Sequence, residues 1–325
     1  MHHRPLRIGT RASALALWQT ERVRARLAEC GYRSERVEIR TTGDLVQDVP
    51  LARIGGRALF TKQLDDAMLE GRIDVAVHSL KDLPTQLPDG LALGAVGLRE
   101  DPRDALVSSG GLGWASLPQG AIVATSSLRR RAQLLWQRPD LQVTDVRGNV
   151  DTRLAKLDRN REWTAVVLAV AGLVRLGLDN RISERLPFEI MLPAPGQGAL
   201  AATARADDAR TREALHRALH EPAVELAVTA ERAFLRRLEG GCQVPIAACA
   251  QLGDERGART LRLRGRVIAL GGEHCVDGIR TATSLTVEAA DALGAGLAEE
   301  LLGRGADGLL AAVRASAAAE SVPEP

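Results

Sequence analysis

Through the first two-thirds of the chain one pattern recurs: a short apolar run ends in a polar loop, and an amphipathic stretch of helical period follows. Leu6 to Gly9 reads as a strand, Thr10 to Ser13 as its loop, and Ala14 to Cys30 as a helix that Ser13 caps and Gly31 closes. Val37 to Thr41 predicts the next strand. Gly43 to Ala58 shows no periodicity, and a stretch of that length in a compact domain points to a functional loop or lid. Helix Leu59 to Glu70, strand Ile73 to His78 and the polar run Ser79 to Pro84 follow. Beyond a linker at Arg99 to Arg103 the pattern resumes with strand Ala121 to Ala124, helix Leu128 to Gln137, strand Leu141 to Val146, helix Val150 to Asp158 and strand Thr164 to Val170. Such alternation predicts an α/β fold with mostly parallel sheets covered on both faces.

The Pro/Gly-punctuated run Leu192 to Ala199 reads as a crossing between domains. From Glu221 the character changes. Pro222 opens a helix with Val224, Val228, Leu235 and Leu238 at helical spacing, and Gly240-Gly241 ends it. Three strand-like segments follow, of which Thr260 to Leu270 alternates best, and helices from Val287 to Leu302 and Ala306 to Ala317 finish the pattern. The expectation is one α/β lobe from residues 1–98 with 197–218, a second over 103–193, a small α+β domain over 220–317, and a frayed tail at 318–325.

Composition narrows the function. At 325 residues the folded chain hides on the order of 75% of the surface its unfolded form exposes, so it needs neither disulfide nor structural metal. The formal net charge is +2, which provides no field for a polyanion, and eight aromatic residues offer few stacking platforms. Nucleic acid is therefore excluded as an expected partner. The cysteines Cys30, Cys242, Cys249 and Cys275 fit no zinc or redox spacing, which suits a reduced compartment. With no apolar signal core and no apolar run approaching the ~20 residues of a bilayer span, the expectation is a cytoplasmic protein without a membrane partner.

Ligands of open α/β sheets sit at the carboxyl ends of strands. Loops there carry Arg11 in GTRAS, Arg129 and Arg130 in TSSLRRR, Arg147 in VRGNVDTR with Arg153 six residues on, and Arg175 in AGLVRLG. Cations in the first turn of a helix oppose its dipole by about 0.3–1 kcal/mol each, and an anionic ligand reverses that cost. The hydroxyls of Thr125, Ser126 and Ser127 add donors. Solvated turns in an arginine-rich chain are the alternative. HSLKDLP places Lys81, one of only three lysines, beside Asp82, a carboxylate able to move a proton or stabilise a cation. Cys242, between glycines and a Gln-Val-Pro turn, is the thiol most open to reaction, with an inert cysteine as the alternative. From residues alone the reading reaches a two-lobed protein for a polycarboxylated or phosphorylated ligand, and no named reaction.

The segments LRIGTRAS, GGRALFTKQL, AVHSLKDLP, REDPRDA, TSSLRRR, VRGNVDTRL, LAVAGLVRLGL, LPAPGQGA and TAERAFLRRLEGGCQVPI follow one another over about residues 6 to 250. In that order the chain resembles the porphobilinogen deaminase, or hydroxymethylbilane synthase, family. It departs from the usual family pattern at Ala14, where many members have proline, and in RALFTKQ. The resemblance implies two lobes like those of periplasmic binding proteins plus a small third domain. It further implies a dipyrromethane cofactor joined by a thioether to Cys242, onto which four porphobilinogen units are added head to tail with loss of ammonia. The product it implies is the linear tetrapyrrole hydroxymethylbilane, reached through linear polypyrrole intermediates.

Carried over by motif, the resemblance makes Asp82 the catalytic carboxylate. It puts Lys81, Ser127, Arg129, Arg130 and Gln197 on the cofactor, and Arg11, Ser13, Phe60, Thr125, Arg147, Arg153 and Arg175 on the substrate and growing chain. It also implies a monomer with no catalytic metal. The rival from another class is a non-catalytic two-lobed anion-binding protein, which needs no reachable thiol.

Overall fold

The structure is a computed structural model that describes residues 4–40, 61–239, 244–255 and 257–320. The expected lid at 43–58, Phe60 and Cys242 lie outside the described residues. Contacts divide the chain into two units, one taking in residues up to 100 and 197–225, the other 101–196 and 226 onward, apart from 48–55.

The first unit is built on strands β1 (Leu6–Thr10), β2 (Ser34–Glu38), β3 (Val75–Ser79), β4 (Leu91–Gly97) and β10 (Leu200–Arg205), in the order β2-β1-β3-β10-β4. The pairs β1/β2 and β1/β3 are parallel, whereas β10 is antiparallel to both neighbours. Helix Ala14–Glu29 is capped as expected, since the Ser13 hydroxyl accepts from the Ala16 N–H. It stops where Gly31 turns into the left-handed region at φ +81°. Val23 and Leu27 of this helix pack with Ile8, Val75 and Val77 from one face of the sheet, joined by Ala214, Leu215 and Ala218 of helix Ala209–Leu219.

In the second unit β5 (Asp104–Ser108), β6 (Ile122–Ala124), β7 (Gln142–Thr144), β8 (Trp163–Ala169) and β9 (Glu184–Arg185) repeat the scheme in the order β7-β6-β8-β5-β9. Here β6 is parallel to β7 and β8, and β5 is the antiparallel strand. Each five-stranded sheet is thus mostly parallel with one reversed strand. The reversed strand is in both cases the one that follows a passage from the other sheet, at 98–103 for β5 and at 192–199 for β10, so it enters at the edge where its parallel neighbours end.

The same unit holds a meander of β11 (Ile246–Glu255), β12 (Ala258–Ile268) and β13 (Cys275–Ala282), antiparallel throughout. Leu261, Leu263 and Val267 alternate onto the face covered by Phe234 of helix Pro222–Arg237 and Leu297 of helix Val287–Leu301. The opposite face of β11 turns Ala247 and Cys249 onto Leu192.

Several expectations move. The second strand is Ser34–Glu38 rather than Val37 to Thr41, because β2 is an edge strand held by pairing Leu6 with Ser34, and its sequence SERVE carries little alternation. Strands β4, β5 and β10 and helix Ala209–Leu219 were not anticipated. The last helix, Asp307–Glu320, continues beyond Ala317.

Candidate functional site

In the first unit the loops after β1 and β3 open at one sheet edge, and β10 enters there with Leu200 opposite Ser79. Arg11, Ser13, Lys81, Asp82 and Gln197 therefore gather along that edge. Residues Leu80–Asp82 form a single tight turn in which buried Leu80 anchors the loop while Asp82 stands exposed. Lys81 Nζ donates to Oε1 of Gln197 at 3.1 Å. Gln197 is wholly buried, and its carbonyl accepts from Arg99 Nε at 3.2 Å. Below the edge, burial pushes the His78 imidazole down to about 4, and the positive charge of Arg11 adds to the shift. Its Nε2 lies 3.2 Å from the Thr203 hydroxyl, which satisfies a group too buried to carry a proton at neutral pH.

In the second unit the ends of β6, β7 and β8 share one edge because the three strands are parallel. Thr125, Ser127, Arg147, Arg153 and Arg175 lie on the segments that leave it. Ser127 caps helix Leu128–Gln137 by accepting from the Arg130 N–H, and the Thr125 hydroxyl accepts from the Ser127 N–H at 3.2 Å. The Ser126 hydroxyl donates to the Val146 carbonyl at 2.8 Å, tying the loop after β6 to the one after β7. Arg153 Nε donates to the Gly148 carbonyl at 2.7 Å, so the VRGNVDTR turn is folded back on its own arginine.

Arg129 and Arg130 are not solvated. Their side chains are 6% exposed, and both reach Asp104, which is fully buried. Arg129 Nη1 donates to Asp104 Oδ2 at 2.8 Å and to the Leu192 carbonyl at 2.7 Å. Arg130 donates from Nη2 and Nε to Asp104 Oδ1 at 2.7 and 3.1 Å, and from Nη1 to the Val167 carbonyl at 2.9 Å. Burial alone raises the Asp104 carboxyl, but the two guanidiniums outweigh it and hold it far below the usual carboxylate range. Burial likewise lowers Arg129, against the pull of Asp104. Cations at a helix start call for an anion, and the fold supplies one internally in Asp104. Among the described residues one carboxylate thus faces two guanidiniums, which leaves an excess of positive charge at the helix start.

Sequence reasoning missed Asp104, which opens a strand after REDPR with nothing in its spacing to point 25 residues ahead. It also missed Gln133, which exchanges two hydrogen bonds with the backbone of Leu192, and buried Glu231. Of the described cysteines, Cys249 is buried, and burial pushes the Cys275 thiol up to about 11. Neither suits a nucleophile. Among the described residues no helix is long and apolar enough to cross a membrane.

The edges so described carry an exposed carboxylate in one unit and guanidiniums in both. Residues 6–213 match the family described as porphobilinogen deaminase, dipyromethane cofactor binding domain, and residues 225–303 match porphobilinogen deaminase, C-terminal domain. The chain belongs to the porphobilinogen deaminase family. It is 50% identical over 310 residues to a porphobilinogen deaminase of Syntrophotalea carbinolica, covering 95% of this chain and 96% of that one. It is 51% identical over 314 residues to that of Desulforudis audaxviator, covering 95% and 98%. A solved nutrient binding protein from Burkholderia cenocepacia bound to methionine aligns over 68% of this chain and 93% of its own, at 16% identity and a TM-score of 0.42. A likeness that slight carries no argument for a receptor.

Membership makes this chain a transferase, a hydroxymethylbilane synthase of tetrapyrrole biosynthesis that works with a dipyrromethane cofactor. The described donors suit such a group. A dipyrromethane with an acetate and a propionate on each ring presents several carboxylates, which guanidinium forks bind in bidentate fashion.

Proposed function

We propose that in this chain Asp82 is the catalytic carboxylate of porphobilinogen condensation and Cys242 the attachment point of the dipyrromethane. The observation that carries the first assignment is the loop itself: Leu80 pins it, Lys81 is held by Gln197, and Asp82 alone of the three is left exposed. An exposed carboxylate can accept a hydrogen bond from the substrate's aminomethyl nitrogen, assist its departure as ammonia, and then face the pyrrole cation that remains. When bound, the cofactor supplies the free pyrrole α-carbon that starts the chain.

Lys81, Ser127, Arg129, Arg130 and Gln197 hold cofactor acids in this reading. Arg11, Ser13, Phe60, Thr125, Arg147, Arg153 and Arg175 hold the substrate and the lengthening polypyrrole. With Ser13 and Ser127 also serving as helix caps, their hydroxyls fix the backbone N–H groups beside the ligand acids. We further assign three domains, at 1–98 with 197–218, 103–193 and 220–317, in a cytoplasmic monomer that uses neither nucleic acid nor membrane nor catalytic metal.

The test is incubation of the purified chain with porphobilinogen, following ammonia and linear tetrapyrrole together. Both appear with the starting chain, and Asp82→Asn slows both by about 10²–10⁴, the usual worth of general acid–base catalysis. Undiminished ammonia release by that variant removes Asp82 from the reaction.

A further inference from the structure

Glu231 lies within helix Pro222–Arg237 and is completely buried, although it is a carboxylate. Such a group is tolerated only where hydrogen bonds replace its water. Its Oε2 accepts from the Gly196 N–H at 2.6 Å and its Oε1 from the Ala250 N–H at 2.7 Å. These are short, charge-assisted bonds of the stronger class. Gly196 sits at φ +76°, a conformation that residues with side chains rarely adopt, and it immediately precedes Gln197. Ala250 belongs to β11, the strand that follows Cys242 in sequence, and Glu231 belongs to the helix that precedes it.

Other bonds hold the approach to Gly196. The Leu192 backbone is fixed by Gln133, and the Pro193 carbonyl accepts from the Ala248 N–H at 3.0 Å. Glu231 holds the N–H of Gly196, the last residue before Gln197. We infer that Glu231 is a positioning residue for the cofactor: its carboxylate ties Gly196, and with it the peptide that leads into Gln197, to the helix and the strand of its own unit that precede and follow residue 242 in sequence. This rests on the reading that Cys242 carries the cofactor and Gln197 contacts it.

The geometry demands a carboxylate. Two N–H donors converge on the group, so both of its ends must accept. Glutamine of the same shape turns an NH₂ toward one of them, leaving donor against donor. Aspartate keeps both acceptors but is a methylene shorter and cannot span the two amides.

The experiment compares wild type with Glu231→Gln by intact mass under denaturing conditions, as purified and during incubation with porphobilinogen, together with amide hydrogen exchange. Leu310→Ala, in the hydrophobic core of the same unit, serves as a variant that loses stability while leaving Glu231 and its two N–H donors chemically unaltered. Glu231→Gln is expected to load Cys242 about tenfold more slowly and to exchange the Gly196 and Ala250 amides about tenfold faster, while Leu310→Ala loads like wild type. Loading of Glu231→Gln at the wild-type rate, or an equal loss in Leu310→Ala, overturns the proposal. A wild-type chain that never gains mass at Cys242 instead overturns the reading beneath it. If Glu231→Gln does not fold, Glu231→Asp is read by the same two measurements and the same criteria.

Discussion

Lys81 and Gln197 lie 116 positions apart in sequence, and their side chains meet in a hydrogen bond of 3.1 Å. The meeting follows from topology. Strand β10 runs against β3, so the segment that leads into β10, with Gln197 three residues before Leu200, arrives where the loop after β3 departs. In the other sheet β5 runs against β8, with Asp104 opposite Ala169, and delivers Asp104 to Arg129 and Arg130 by the same geometry. In each unit the single reversed strand brings the residue that fixes the charged groups at the edge.

If the Lys81–Gln197 contact positions the loop that bears Asp82, the two residues must act as a pair. A double-mutant cycle on kcat/KM with Lys81→Met and Gln197→Met is expected to show a coupling of about 0.5–3 kcal/mol. Additive effects of the two substitutions contradict a shared role.

Asp104→Asn removes the carboxylate that both buried guanidiniums share. Removing one partner of a buried ion pair costs about 3–5 kcal/mol, and chemical denaturation of the second unit should show a loss of that size. A loss below about 1 kcal/mol is what an exposed pair gives, and it would falsify the buried triad.

Asp104 and His78 both make the protein acid-sensitive, in different windows. The folded Asp104 carboxyl titrates far below its unfolded value, so its stabilisation is present at neutral pH and fades only in strong acid. For His78 the unfolded imidazole takes up a proton near pH 6.5, whereas the folded one refuses it until about 4. Stability therefore falls as pH drops through that interval, by about 3 kcal/mol in all at 1.4 kcal/mol per unit. His78→Gln removes this slope. An unchanged pH dependence between the variant and wild type shows that His78 does not titrate as described.

Much of this was legible before the fold was known, where local rules decide. Ser13 and Gly31 bound the first helix, and helix Leu128–Gln137 appears as its periodicity predicts, because caps and 3.6-residue spacing are written in neighbouring residues. Strand β10 was invisible for the opposite reason. Its sequence LAATAR has high helix propensity, and only pairing with β3 on one side and β4 on the other makes it a strand. The arginine loops stood out as a group, yet the partner that holds Arg129 and Arg130 did not, since Asp104 reaches them through sheet pairing rather than spacing. Glu231 lies hidden inside an ordinary helical pattern, and the backbone N–H groups it accepts from lie 35 positions before it and 19 after.

The central claim is a covalent dipyrromethane on Cys242 extended by porphobilinogen. Intact mass of the purified chain under denaturing conditions, with peptide mapping around residue 242, tests it most directly. The account predicts an added mass of two linked pyrroles confined to the Cys242 peptide, followed by further pyrrole units when porphobilinogen is supplied. A Cys242 peptide that stays unmodified both before and after porphobilinogen contradicts it.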